Sequence, residues 1–252
     1  MRIAYETAAA PGRPRNEDFV VAGPDWVAVL DGATAPAGVA SGCVHDVPWL
    51  VARLGGALAH RLATEPREGL PDLVAAAIRD TMAAHGNACD LTSPDSPSST
   101  MAVLRRRGDV LDHLVLCDSP IVLRHTGGAV TVVGDDRLDH LPGGRPYSRE
   151  LVRGLRNRPG GFWVASVVPE AAYEARAGSV PLADVSGALL ATDGVTRLVE
   201  AYGWTWERLV AVAGSDGPGR LIAEVRAAEL ERGAPYPTAK VHDDATAAWV
   251  TW

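Results

Sequence analysis

Trp26-Val27-Ala28-Val29-Leu30-Asp31-Gly32 is an unbroken apolar run that stops at an acid and a glycine. A short apolar stretch ending on a turn signal reads as a strand. Ala188-Leu189-Leu190-Ala191-Thr192-Asp193-Gly194 repeats the form far downstream, and Asp243-Asp244 precede a β-prone C-terminal stretch, residues 244–252. Three strands therefore carry an acid at one end. A carboxylate there can project from the end of a sheet, while glycine lets the backbone come close to a ligand. Hard divalent cations take oxygen ligands, and carboxylates from distant segments are the usual supply, with the Gly32 carbonyl as a further oxygen. Asp-Gly after a strand is also an ordinary turn, so the spacing alone leaves both readings open.

Working outward, the first forty residues read as extended. Residues 44–64 carry Val47, Leu50, Val51, Leu54 and Leu58 at helical spacing, and residues 70–85 repeat the pattern with Leu73, Val74, Ala77, Ile78 and Met82. A loop rich in proline and hydroxyls, residues 92–99, cannot continue a helix. Strand signals follow at 100–105, 110–117, 121–125 and 130–133, separated by tight turns, and read as an antiparallel meander. Residues 135–159 are polar and rich in Arg and Gly, a surface excursion with a short helix at 148–155. Residues 162–168 and 187–192 read as strands, and 204–213 and 218–232 as helices, before Gly233 and two prolines break the chain. Strands at the start, middle and end, with helices in two blocks between, indicate an α+β fold with mainly antiparallel sheets and helices outside. No internal repeat or linker stands out, so residues 1–252 read as one domain.

Composition narrows the function. The 252 residues have 47% hydrophobic and 22% charged side chains and a net charge of −7, which disfavours nucleic acid as a partner and suits a cation site. Cys43, Cys89 and Cys117 form no CxxC pair and are odd in number, which indicates a reducing, cytoplasmic compartment. The N-terminus has no secretory pattern, and no run of about 18 apolar residues suggests a membrane span. Trp204, Trp206, Trp249 and Trp252 read as packing residues.

Arg13-Pro14-Arg15-Asn16-Glu17-Asp18 resembles the R-x-x-N-E-D opening of the metal-dependent protein phosphatases of type 2C. Residues 27–32 resemble the strand and Asp-Gly that follow it, Ser98-Ser99-Thr100-Met101-Ala102-Val103 is similar to the S-G-T-T-A strand, and Cys117-Asp118-Ser119 to the G-D-S turn. Leu190-Ala191-Thr192-Asp193-Gly194 resembles L-x-S-D-G, and Asp243-Asp244-Ala245-Thr246 the terminal D-N/D-x-T/S. Six motifs in order span nearly the whole chain. The resemblance implies a four-layer αββα sandwich, two antiparallel sheets flanked by helices, with a site for two Mn2+ or Mg2+ ions at one end. It implies that Asp31 bridges both metals and that Asp193 and Asp243 complete one metal site. The Gly32 carbonyl would serve the other, with Glu17 and Asp18 reaching it directly or through water, and Arg13 would hold the substrate phosphate. Two cations about 3.5–4 Å apart share a water and lower its pKa, so hydroxide attacks phosphorus without a protein nucleophile. The implied activity is hydrolysis of phosphoserine and phosphothreonine in proteins, in a bacterial signalling setting. The alternatives are a small phosphorylated metabolite as substrate, or a non-catalytic binding module of the same fold.

Three departures from the family pattern carry expectations. Residues 33–38 hold no histidine to serve as general acid, which leaves water, His45 or His140. The family's third, weaker metal uses the acid of the G-D-S turn, here Asp118, and a second acid where this chain has Arg197, so a third metal is expected to be absent or poorly held. The arginine-rich stretch 145–158 falls at the family's flap and is either a solvated helix or a recruiter of anionic substrate. Other phosphatase chemistries fail by inspection: no Cys-x5-Arg, no D-x-D, no HExxH and no Walker phosphate loop is present.

Overall fold

The computed structural model describes residues 1–33, 38–144, 146–235 and 240–252. The expectations for residues 34–37, Arg145 and Pro237 lie outside the described residues. One antiparallel sheet has the order β1 (Arg2–Ala8), β10 (Ala245–Thr251), β9 (Val185–Ala191), β6 (Ile121–His125), β7 (Val130–Val133). The other runs β2 (Asp18–Ala22), β3 (Trp26–Ala33), β4 (Ser98–Arg107), β5 (Val110–Leu116), β8 (Arg176–Pro181).

The sheets stack face to face. Val27, Val29, Ala102, Leu104 and Val115 from one meet Ile121, Leu123, Ala188, Leu190 and Val250 from the other. The alternate residues Ala28, Leu30, Met101 and Val103 point the opposite way, onto helices α1 (Val47–Thr64) and α2 (Leu70–Ala84). On the far side, Val122, Leu189, Ala191 and Ala247 pack against α4 (Asp193–Glu200), α5 (Trp206–Ser215) and α6 (Pro218–Arg232). This is the αββα sandwich expected from the sequence. It also explains the unbroken apolar runs, because strands covered on both faces have no solvent side on which to place polar residues. Helix α1 starts where Asp46 accepts the Trp49 N–H at 3.0 Å, with a proline in the first turn, and lays Leu50, Leu54, Leu58 and Leu62 into the core. The short helix α3 (Arg149–Leu155) is capped by Ser148.

Three expectations need correction. The four central strands do not form one meander. β4 pairs with β5 and β6 with β7, but β5 and β6 belong to different sheets. The connection Cys117-Asp118-Ser119-Pro120 crosses between sheets, and Cys117 takes a left-handed φ of 67° that a continued strand would not allow. Residues 162–166 are buried and 167–168 half-buried, but among the described residues the stretch makes isolated bridges alone, Ser99 with Ala165 and Arg156 with Phe162, and the Val164 N–H is taken by the Asn157 side chain. Finally, Asp193 does not sit in a simple turn. It opens helix α4, a helix the sequence reading lacked, and β8 was likewise unread. The tryptophans behave as packing residues where their contacts are clear: Trp249 is buried beneath the Arg124 guanidinium at 4.8 Å, and Trp204 lies 3.8 Å from that of Arg208.

Candidate active site

The acidic strand ends meet at one end of the sandwich. Antiparallel pairing places Asp18, the first residue of β2, directly opposite Asp31 on β3. Asp193 follows β9, and Asp243 precedes β10, which pairs with β9. The sheet crossover contributes Asp118. Asp31, Gly32, Asp118, Asp193 and Asp243 all line one cleft of about 600 Å3.

The carboxylates strain against one another. Burial first, then the charges of Asp193, Asp18, Asp118 and Asp243, push the Asp31 carboxyl well above its ordinary range. Asp193 is raised to about 6, by burial and then by Asp243 and Asp118, despite its place in the first turn of a helix. Asp18 is raised to about 7, chiefly by burial. One Asp18 oxygen accepts the Thr192 hydroxyl at 2.9 Å, while its Oδ1 is buried with no hydrogen-bond partner. Asp243 receives the Arg197 guanidinium and the Lys240 ammonium, each at 3.2 Å.

Asp244 has a different role from its neighbour. Its two oxygens accept the backbone N–H groups of Ala10 at 2.7 Å and Glu17 at 2.6 Å. It thereby clamps the segment between β1 and β2, and with it Glu17, against the acid cluster. The two Asp-Gly glycines also have a distinct purpose. Neither takes a positive φ. Instead Gly32 donates to the Glu17 carbonyl at 3.1 Å, and a Cβ at Gly194 would overlap the Asp244 carbonyl oxygen. Gly194→Ala should therefore cost about 2–3 kcal/mol and lower the melting temperature by roughly 4–12 °C. Gly56→Ala, in an exposed stretch of α1 with nothing within 4 Å, should leave it unchanged or slightly higher. Equal melting of the two variants by differential scanning calorimetry would refute the close-approach account.

The other sequence candidates fall outside the cleft lining. Arg13 is exposed on the β1–β2 connection. Asp18 stands opposite Asp31 across the β2–β3 pair, and half-buried Glu17 precedes it, its carbonyl accepting the Gly32 N–H. His45 stacks on Trp49 with ring centroids 3.8 Å apart, and exposed His140 bonds the Asp136 carbonyl at 2.8 Å. Sequence reasoning missed Lys240, the single lysine of the chain, which lines the cleft beside Asp243. Its rarity among 24 Lys and Arg residues was the available signal. Burial pulls the Lys240 pKa down, but Asp243, Asp193 and Glu17 outweigh it and hold the ammonium charged.

The family profile for protein phosphatase 2C matches residues 13–226. The chain belongs to that family. No curated protein matches it. Among solved structures, the Mycobacterium tuberculosis serine/threonine phosphatase PstP/Ppp is 19% identical, with 98% of this chain and 97% of that one covered and a TM-score of 0.64. The catalytic domain of serine/threonine protein phosphatase PstP in complex with two manganese ions is also 19% identical, over 98% and 96%, with a TM-score of 0.62. Serine/threonine phosphatase Stp1 from Staphylococcus aureus is 13% identical over 100% and 95%, with a TM-score of 0.64. These likenesses establish a shared fold. Among the described residues of this phosphatase 2C chain, no helix is long and apolar enough to cross a membrane.

The donor set fits divalent metal. Hard cations prefer carboxylate and carbonyl oxygens, and clustered carboxylates with raised pKa values, one of them with an orphaned buried oxygen, are what such ions would relieve.

Proposed function

We propose that this phosphatase 2C chain hydrolyses phosphoserine and phosphothreonine in proteins, using two Mn2+ or Mg2+ ions. One observation carries the reading: carboxylates from four separated segments converge on one cleft. In this reading Asp31 would be shared by the two ions, Asp193 and Asp243 would complete one site, and the Gly32 carbonyl would serve the other with Glu17 close by. Asp18 backs Asp31 and Asp193 from within the protein, held by Thr192. Bound ions supply an activated water and offset charge on the phosphoryl oxygens.

The chain's own residues do the rest. Lys240 keeps a positive charge beside Asp243 at the cleft wall. Cys117 lines the cleft but is no nucleophile, because burial and then the Asp118 charge push its thiol well up. Arg156 is a scaffold group. Its guanidinium is held by the Ser96 carbonyl at 2.6 Å and the Ser166 hydroxyl at 2.9 Å. Arg149 and Arg153 line the cleft, half-exposed, and among the described residues their ion-pair partner is Asp95, at 3.5 and 3.4 Å. They favour recruitment of an anionic substrate over a merely solvated helix, and Arg13, exposed on the β1–β2 connection, is the further guanidinium assigned to the substrate phosphate in this reading. A third metal beside Asp118 is weak in this reading, since Arg197 replaces the second acid and engages Glu229 and Asp243. The three free thiols suit a reducing compartment, and a cytoplasmic location belongs to the proposal.

The test is Mn2+-dependent turnover of a panel of phosphopeptides, phosphometabolites and p-nitrophenyl phosphate. Phosphopeptides should be the better substrates. Arg149→Glu/Arg153→Glu should raise KM for phosphopeptides about tenfold, as expected for loss of roughly 1.4 kcal/mol of uniform binding, and change kcat little. Unchanged phosphopeptide kinetics would return α3 to a solvated helix. Preference for a phosphometabolite would overturn the protein substrate.

A further inference from the structure

Outside the cleft lining, three metal-ligating side chains from two separate segments meet on the α1–α2 side of the molecule. The Cys43 Sγ lies 3.4 Å from the His85 Nδ1 and 3.1 Å from the Cys89 Sγ. Donor atoms of all three fall within 4.8 Å of one another. Cys43 sits in the loop leading into α1, His85 caps the C-terminus of α2, and Cys89 follows in the next turn. The phosphatase chemistry uses none of them.

We propose that Cys43, His85 and Cys89, with a water as the fourth ligand, form a site for a borderline-soft divalent ion, Zn2+, that staples two loops beside the active cleft. Two thiolates and an imidazole are soft and borderline donors, unlike the all-oxygen set of the cleft, so the two sites select different metals. In a tetrahedral site with Zn–S about 2.3 Å and Zn–N about 2.0–2.1 Å, a sulfur and a nitrogen ligand lie about 3.6 Å apart and two sulfurs about 3.8 Å. The Cys43–His85 spacing already matches, and the two sulfurs need to open by only about 0.7 Å. His85 is buried and its imidazole is held neutral by burial and by His45, the form that ligates metal. The His45 backbone N–H points at the Cys43 sulfur at 3.4 Å, an outer contact suited to a thiolate. A disulfide would use two of these donors and leave His85 without a purpose.

The backbone around the site is built for the same end. The Asp90 N–H donates to the Gly42 carbonyl at 2.7 Å, joining the loop before α1 to the loop before β4. The second loop continues to Pro94, Asp95 and Ser98 in the cleft wall. Binding converts both thiols to thiolates and releases two protons to solvent, while the metal keeps its oxidation state.

The full-length protein, purified under reducing conditions and stripped with chelator, is titrated with Co2+ and then Zn2+. Co2+ should give near-ultraviolet thiolate-to-cobalt charge transfer and the visible bands of a four-coordinate ion, and one equivalent of Zn2+ should abolish both. The proposed cleft ligands are all oxygens, but the Cys117 thiol also lines the cleft, so Asp193→Asn and Cys117→Ser should both retain the charge-transfer band, and a failed phosphatase assignment would leave it untouched. Cys43→Ser and Cys89→Ser should each remove most of it, and His85→Gln should weaken it and shift the visible bands. If a variant misfolds, thiol alkylation of the stripped wild type should abolish the band. No charge transfer in the reduced wild-type protein, or a band unchanged in Cys43→Ser/Cys89→Ser, would overturn the site. So would a Cys43–Cys89 disulfide that persists under mild reduction.

Discussion

Asp193→Asn should lower Mn2+-dependent turnover about a thousandfold while making the metal-free protein more stable. The loss follows if Asp193 holds an ion, since removing one electrostatic partner of a reacting phosphoryl group costs factors of about 10²–10³ or more. The gain follows from the crowded carboxylates. Asp193 is raised to about 6 from an ordinary 3.8, mainly by burial and then by Asp243 and Asp118, so its charge opposes folding at neutral pH. At 1.36 kcal/mol per unit, a neutral isostere should recover roughly 1–3 kcal/mol, or a few degrees of melting temperature. The pH dependence has a definite sign. Asp193 and Asp18, at about 6 and 7, bind protons more tightly when folded than when unfolded. Their favourable contribution is complete below about pH 4 and is lost as pH rises through 6 to 7. Wild-type protein in chelator should thus lose stability between pH 4.5 and 7.5 unless Mn2+ is added, and Asp193→Asn should flatten that slope. Scanning fluorimetry in chelator and in Mn2+ at both pH values reads all of this. A variant that melts lower than wild type in chelator at pH 7.5 would contradict the repulsion, and one that keeps turnover would remove Asp193 from the chemistry.

The same physics governs how much could be read in advance. The runs ending in Asp31 and Asp193 were legible because strands covered on both faces must be apolar throughout, and because an acid breaking such a run is conspicuous. Helices α1 and α2 were legible from the spacing of their apolar residues, and the end of α6 from Gly233. The division of labour between Asp243 and Asp244 was not. Both are acids at a strand entrance, and only the fold decides that one faces the cleft while the other accepts two backbone N–H groups. The sheet crossover at Cys117 was hidden because its turn chemistry looks like that of a hairpin, while the left-handed φ is carried by a residue that rarely adopts one. Helix α4 escaped because its start coincides with the Asp-Gly that signals a turn.

Arg197→Met should be among the most destabilising single changes in the molecule. The Arg197 guanidinium is 8% exposed and bonds the fully buried carboxylate of Glu229 at 3.0 Å as well as Asp243 at 3.2 Å. Its Nε is buried with no partner, so the site is a costly one that the fold keeps. Methionine matches the volume of the stem but leaves Glu229 short of one cation. Arg226 at 2.9 Å and His242 at 2.7 Å remain, which limits the damage. Removing one member of a buried pair costs about 3–5 kcal/mol, and with those two residual partners the lower end, about 3 kcal/mol, is expected. That is a fall of roughly 6–12 °C in melting temperature for a chain of this size. Arg197→Met/Glu229→Met should recover much of the loss, since a buried apolar pair can match or exceed the stability of a buried ion pair. A double variant whose loss equals the sum of the single losses would show that the two side chains do not act on each other. Asp243, freed from Arg197, should also bind Mn2+ differently in the single variant: its carboxylate no longer shares charge with a guanidinium, so the metal concentration for half-maximal turnover should fall. An unchanged metal requirement would separate the Arg197–Glu229 pair from the site and leave it a purely structural brace between α4 and α6.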